Sequence, residues 1–218
     1  MARPKSDIEP RIISAAHDMF LAEGVDSASL RAIARNAGTN IGMVYYYFPT
    51  KDDLFMAVVE DVYDGLLKRL TEALDTQFPV EERLYRAFSL IGTLEPYELE
   101  VGRIVVREMM TSTERRARLL ERFQRGHLPL IVSTMLQGLQ ERKFDPKLPL
   151  PVLMTSAVAV GTLPQFILRV LGERLPGFDA VPEDMDLARV LVRVLFEGTG
   201  GPESPPIQGL NTPQGEPA

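Results

Sequence analysis

Apolar residues recur at helical spacing through most of the chain. Ile12, Ile13, Ala16, Met19 and Phe20 form one stripe on a helix that runs to about Ala22, entered at Ser6-Asp-Ile-Glu9, which reads as a capping box, and stopped by Gly24. His17 and Asp18 fall on its other side. Leu30, Ile33, Ala34 and Ala37 give a shorter stripe that ends at Gly38, a residue able to supply positive φ. Asn40, or Thr39 before it, can cap a third helix with Val44 and Phe48 on its inward face, and Pro49 forces the chain out of helical geometry. Thr50-Lys-Asp-Asp53 repeats the capping pattern and opens a helix at Lys51, on which Leu54, Phe55, Val58, Val59, Val62, Tyr63, Leu66, Leu67 and Leu70 keep period.

Beyond Phe78-Pro79 the pattern predicts helices over residues 81–94, 97–111, 114–142, 149–172 and 183–197, with Pro129 and Pro164 kinking two of them. From Gly198 onward the chain is rich in glycine and proline and is expected to be disordered. These elements predict an all-α protein of about nine helices: a tail over 1–6, a three-helix helix-turn-helix domain over 7–52, a linking helix over 53–78, a larger helical bundle over 79–199 and a tail over 200–218.

The 218 residues allow a small and a larger domain, each with a core. No uninterrupted apolar run approaches the eighteen or so residues of a membrane span, and the first residues lack an apolar signal segment, so a cytoplasmic protein without a membrane partner is expected. Cysteine is absent, which excludes disulfides and thiolate chemistry. The two histidines, His17 and His127, have no ligand-spaced partner, so neither a metal site nor a cofactor is expected. The net charge of −6 and pI of about 5.1 argue against a protein that coats nucleic acid indiscriminately. Over residues 1–51, six basic residues (Arg3, Lys5, Arg11, Arg31, Arg35, Lys51) stand against five acidic ones (Asp7, Glu9, Asp18, Glu23, Asp26), so DNA recognition must rest on specific contacts. Arg3 and Lys5 read either as a solvated tail or as phosphate contacts ordered on DNA.

Ile33-Ala34, Ala37-Gly38, Gly42, Tyr45, Tyr47-Phe48 and Lys51-Asp-Asp-Leu54 fall as they do in the N-terminal pattern of the TetR family of bacterial transcriptional regulators, which residues 10–67 resemble. The resemblance implies a DNA-contacting set of Ser29, Arg31, Thr39, Asn40, Ile41, Gly42, Met43, Tyr45, Tyr46 and Lys51, the third helix lying in the major groove. Asn40 reads as an adenine contact or as a helix cap, and Arg31 as a guanine contact, a phosphate clamp or a surface charge. Ile41 and Met43 offer apolar contact to thymine methyls, and Gly42 permits close backbone approach. Ile41 stands where the family often has a polar or basic residue. Tyr45 and Tyr46 are expected on the DNA backbone, and Lys51 on a phosphate at the start of its helix. Phe48 and part of Tyr47 are expected in the domain core.

The same resemblance implies a homodimer on a pseudo-palindromic operator in double-stranded DNA, joined through the last two helices. The matching segments place Ala157, Gly161, Leu187, Leu191, Val194 and Leu195 at that interface, the alternative being that they close the subunit core. It also implies an inducer cavity, for which Phe88, Met109, Met110, Phe123, Ile131, Met135, Met154 and Phe166 are apolar candidates, the alternative being plain core, and Arg103, Arg107, Glu108 and His127 polar ones, the alternative being a salt bridge of Arg103 or Arg107 with a neighbouring acid. The expected function is a repressor released from its operator by a small apolar or amphipathic effector. The alternative is a DNA-binding protein whose second domain docks a protein partner. An enzyme is not expected, because no paired histidine and carboxylate, phosphate loop, nucleophile elbow or metal set is present.

Overall fold

The computed structural model describes residues 7–171 and 185–197, and within them ten α-helices: α1 Ile8–Glu23, α2 Leu30–Asn36, α3 Ile41–Tyr47, α4 Lys51–Ala73, α5 Val80–Gly92, α6 Pro96–Thr111, α7 Thr113–Gln124, α8 His127–Gln140, α9 Leu150–Leu171 and α10 Leu187–Glu197. Ser6 and both predicted tails lie outside the described residues, as does the predicted break at Leu175-Pro-Gly177.

Local chemistry accounts for the first four helices. Gly24 (φ +88°) and Gly38 (φ +65°) take backbone conformations that a side chain would strain. Asn40 Oδ1 accepts the Met43 amide at 3.1 Å and so caps α3. At α4 the box is reciprocal: the Thr50 hydroxyl oxygen accepts the Asp53 amide at 3.0 Å while the Asp53 carboxylate accepts the Thr50 amide at 3.0 Å. The cap of α1 differs from expectation, since Asp7 is the capping residue and makes no side-chain bond to the helix.

The segment 114–142 is two helices, not one. The chain turns at Arg125 and Gly126, so Pro129 falls in the first turn of α8, where a missing amide costs nothing. Gly126 is required by packing, because any Cβ there would overlap the Tyr63 hydroxyl. Pro164 does lie inside a continuous helix.

Two cores result. The first joins α1–α4 (Ile12, Phe20, Ile33, Val44, Leu54, Phe55, Val58) to Val101 and Ile104 of α6 and Leu119 of α7. It therefore fuses the helix-turn-helix to the second bundle. His17, expected on the outer side of α1, belongs to this contact: it is buried, its ring lies 4.4 Å from that of Tyr97, and its Nε2 is 3.4 Å from Glu100. The second core packs Val80 and Leu84 of α5 on Met135, Phe144, Leu153 and Ala157, with Phe88, Ala188 and Leu191 beside it. Gly161 is pressed face-on against the Phe88 ring. Gly161→Ala is therefore expected to destabilise by about 1–3 kcal/mol, since overpacking exceeds the helix propensity alanine restores, and a urea titration reads the loss as a lower midpoint.

Candidate DNA-binding surface and effector cavity

α3 is a two-turn helix held from behind and bare in front. Val44 and Phe48 are buried, Tyr47 is half-buried, and Tyr45 and Tyr46 are 53% and 76% exposed. Large aromatics left in water on the outer face of so short a helix mark a binding surface. Ala28, Ser29, Leu30, Arg31, Ile41, Tyr45 and Lys51 line one concavity beside it, so residues from the start of α2, the start of α3 and the start of α4 converge. The side chains of Arg31 and Arg35 are exposed and have no hydrogen-bond or ion-pair partner among the described residues. Asn40 is used as the helix cap, Thr39 is half-buried and donates its amide to the Ala34 carbonyl at 2.9 Å, and Ile41 and Met43 are half-buried. Gly42 is exposed, with Asn40 Oδ1 3.1 Å from where a Cβ would stand. Lys51 Nζ donates to the Asp26 carbonyl at 2.8 Å, which parks the ammonium at the edge of this surface.

A row of arginines on α7, at positions three and four apart, faces the acidic side of α4. Arg115 is buried and donates to Glu108 Oε2 (2.7 Å), Asp26 Oδ1 (2.8 Å) and Asp52 Oδ1 (3.0 Å). Burial alone would lower the pKa of its guanidinium, and the hydrogen bonds to Asp52, Asp26 and Glu108 reverse this and raise it. Arg118 meets Asp53 at 2.9 Å, and Arg122 meets Glu60 at 2.6 Å and Asp64 at 2.7 Å. The Thr50 hydroxyl and then Arg118 hold the Asp53 carboxyl below its ordinary range, so the residue that caps α4 is also tied to α7. Glu108, itself buried, accepts the Val25 amide at 3.5 Å. Arg107 donates to the Phe20 and Leu21 carbonyls at the end of α1. Sequence reasoning missed this row, because nothing within α7 tells which helix its charges face.

Behind it, an apolar cavity of about 290 Å³ opens between α4, α5, α6, α8 and α9. Phe88, Phe123, His127, Ile131 and Met135 of the expected set line it. The largest share of its wall is one the sequence did not suggest: Val59, Val62, Tyr63, Leu66, Leu67, Leu70 and Leu74, all from α4 or its end. The helical period of these residues was visible, but a cavity wall and a packed core leave the same periodic signal. The polar features are few. The Tyr63 hydroxyl accepts the His127 amide at 3.3 Å and lies 2.8 Å from His127 Nδ1. Burial, then the nearby Arg122, lowers the His127 pKa, and burial raises that of Tyr63, so both are neutral near pH 7, with Tyr63 donating to Nδ1. Glu98 reaches the wall with its carboxylate on Arg69 and on the Glu95 amide at 2.9 Å.

An outer groove of about 590 Å³ adjoins this cavity between α6 and α9, and Arg103, Arg107 and Phe166 lie on it instead of in the inner cavity. Four expected pocket residues reach neither space, Glu108 among them because its carboxylate is held by Arg115. Met109 packs against the first core, Met154 packs against the second, and Met110 is 80% exposed.

The expected dimer residues take part in the subunit's own packing to different degrees. Ala157, Gly161 and Leu191 are buried inside the subunit, and Leu187, Val194 and Leu195 are half-buried there. The outward stripe of α9 is instead Val152, Thr155, Ser156, Ala159 and Leu163, all exposed. Leu150–Arg169 has a mean hydropathy of 1.5 with only 22% of it buried, a helix long and apolar enough by length and composition alone to cross a membrane. Among the described residues no group of three or more metal-ligating side chains occurs.

Known proteins match this geometry. The profile of the bacterial regulatory proteins of the tetR family covers residues 12–58. The transcriptional regulator YttP of Bacillus subtilis is 30% identical over 108 residues, 48% of this chain and 52% of its own length. The fatty acid metabolism regulator protein of Bacillus subtilis is 20% identical over 72% of this chain and 80% of its own. The structure of the regulator FadR from Bacillus subtilis, solved with stearoyl-CoA, superposes with a TM-score of 0.66 at 18% identity, over 88% of this chain and 99% of that one. Residues 12–58 thus carry the helix-turn-helix of the bacterial regulatory proteins of the tetR family, the chain shares its overall fold with the solved regulator, and it spans about half the length of YttP.

Proposed function

We propose that this protein is a cytoplasmic transcriptional repressor that leaves its operator when a small apolar or amphipathic effector fills the inner cavity. One observation carries the reading: α4 is a single helix that both caps the DNA-binding domain and walls the cavity. Leu54, Phe55 and Val58 sit in the first core, while Leu66, Leu67 and Leu70 face the cavity a few turns on. A ligand that is bulkier than the apo cavity must move α4 or its neighbours, and α3 travels with it. Such a ligand changes DNA affinity only by its unequal affinity for the two arrangements.

An apolar cavity in the second bundle favours a small ligand, whereas a protein partner would go with a filled core and an exposed hydrophobic patch. The relatives' names favour an acyl chain as its occupant. The exposed stripe of α9 with Val190 of α10 forms the proposed dimer face, which places two recognition helices about 34–36 Å apart on a pseudo-palindrome. The DNA contacts are Arg31, Tyr45, Tyr46 and Lys51, with Ile41, Gly42 and Met43 on base edges and Ser29, Thr39 and Asn40 fixing the helix ends.

Selection of bound duplexes from random DNA, followed by release assays with alkyl compounds, tests the reading. It fails if no duplex is preferred. Lys51→Ala is expected to weaken binding to preferred and random duplexes alike and to reduce the slope of log affinity against log salt by about one, through loss of one phosphate contact. Titrations at four salt concentrations measure this, and an unchanged slope removes Lys51 from the contact set.

A further inference from the structure

The inner cavity and the outer groove share Ile91, Glu98, Gly102 and Thr162 in their walls, so the two chambers abut at these residues, which form the throat between them. Gly102 lies in the middle of α6, where glycine weakens a helix, and its φ is not in the left-handed region. Nor does packing demand it: a Cβ built there meets nothing within 4 Å. A side chain at this position would enter open space where the two chambers adjoin, and its absence leaves that space free.

The chambers differ in chemistry. The inner one is apolar. The outer one carries Arg103, Arg107 and Arg169. Arg107 is spent on the end of α1, and Arg169 donates to the Gly92 and Leu94 carbonyls beyond α5. Arg103 is exposed and has no hydrogen-bond or ion-pair partner among the described residues. The acid at the throat, Glu98, is neutralised by Arg69.

Resting on the effector reading above, we infer that the effector is an anionic amphiphile that spans both chambers, a long alkyl chain in the inner cavity and an anionic head group, carboxylate or phosphate, on Arg103. The chain passes the throat at Gly102, and the outer apolar side chains Leu94, Leu99 and Phe166 cover its first carbons. A neutral compound of equal length fills the same space without the charge contact. Size discrimination resides in the throat, and head-group discrimination resides in Arg103.

The test is calorimetric titration of the full chain with tetradecyl phosphate, myristate and 1-tetradecanol, alongside binding to a selected duplex. At least one of the two anions is expected to bind about tenfold tighter than the alcohol, and comparing the two tells phosphate from carboxylate. Arg103→Ala is expected to abolish that preference and leave alcohol affinity within about twofold, and Arg103→Lys to restore most of it. Gly102→Leu is expected to exclude the fourteen-carbon compounds while octyl phosphate still binds. Equal affinity of wild type for the alcohol and both anions, or an equal loss for all three in Arg103→Ala, overturns the head-group site. Undiminished tetradecyl phosphate binding in a folded Gly102→Leu variant overturns the channel. Retained duplex binding in these cases leaves the DNA-regulator reading standing, whereas loss of any duplex preference in the wild type removes that reading itself.

Discussion

Arg115→Ala is expected to cost the folded protein about 3–5 kcal/mol, among the largest losses available to a single substitution here. The guanidinium is buried and satisfies three carboxylates, from the loop before α2, the first turn of α4 and the last turn of α6. Asp26 is well exposed and recovers water, but Glu108 is 3% exposed and is left with Arg107 and one long amide bond. Removing one partner of a buried pair costs far more than the pair's net worth, because the survivor is a desolvated charge. For a chain of this length that is a fall in Tm of roughly 10 °C. Chemical denaturation of Arg115→Ala, Glu108→Gln and the double variant forms a cycle in which the double should lose much less than the sum. Additive losses would show that the two side chains do not depend on each other. The same node joins α7 to Asp26, whose carbonyl holds Lys51, so the weakened variant should also respond less to effector in DNA release.

The second large effect is expected on DNA affinity. Val152→Glu combined with Ala159→Glu places two charges on the outward stripe of α9, next to their symmetry mates in the proposed dimer. Both positions are exposed in the subunit, so stability of the isolated fold should change by less than about 1 kcal/mol. Affinity for a selected duplex should nevertheless fall about 100-fold or more, because a dimer engages its second half-site at high effective concentration and a monomer does not. Light scattering and DNA titration on the same sample separate the two outcomes. A dimer that survives the double substitution would move the interface elsewhere on the subunit.

Residues 30–53 were legible because their structure is set by local chemistry. Gly38, Asn40, Thr50 with Asp53, and Pro49 each act within four residues of themselves, and each does what its spacing predicts. Failures came where a distant residue decides. Where the long predicted helix breaks, at Gly126, Tyr63, sixty-three positions earlier, occupies the space that a side chain would need. His17 is buried by Tyr97 and Glu100, which no pattern within α1 could announce. On α9, apolar and small residues lie on both faces, and Ala157 with Gly161 turned out to accommodate Phe88 within the subunit instead of a neighbour. The polar candidates were dispersed similarly: Arg107 closes α1, His127 pairs with Tyr63 in the cavity wall, and Arg103 stands in a groove that α6 and α9 line together.

The central claim is that α3 is presented to a DNA groove by a twofold pair of subunits. Native mass spectrometry of the protein with a duplex chosen by selection from random DNA addresses it directly. The expected result is two protomers on one duplex carrying two inverted half-sites about one helical turn apart, lost when Tyr45 and Tyr46 are both replaced by alanine. A protomer that stays single, shows no preference for any duplex and is indifferent to those replacements would contradict it.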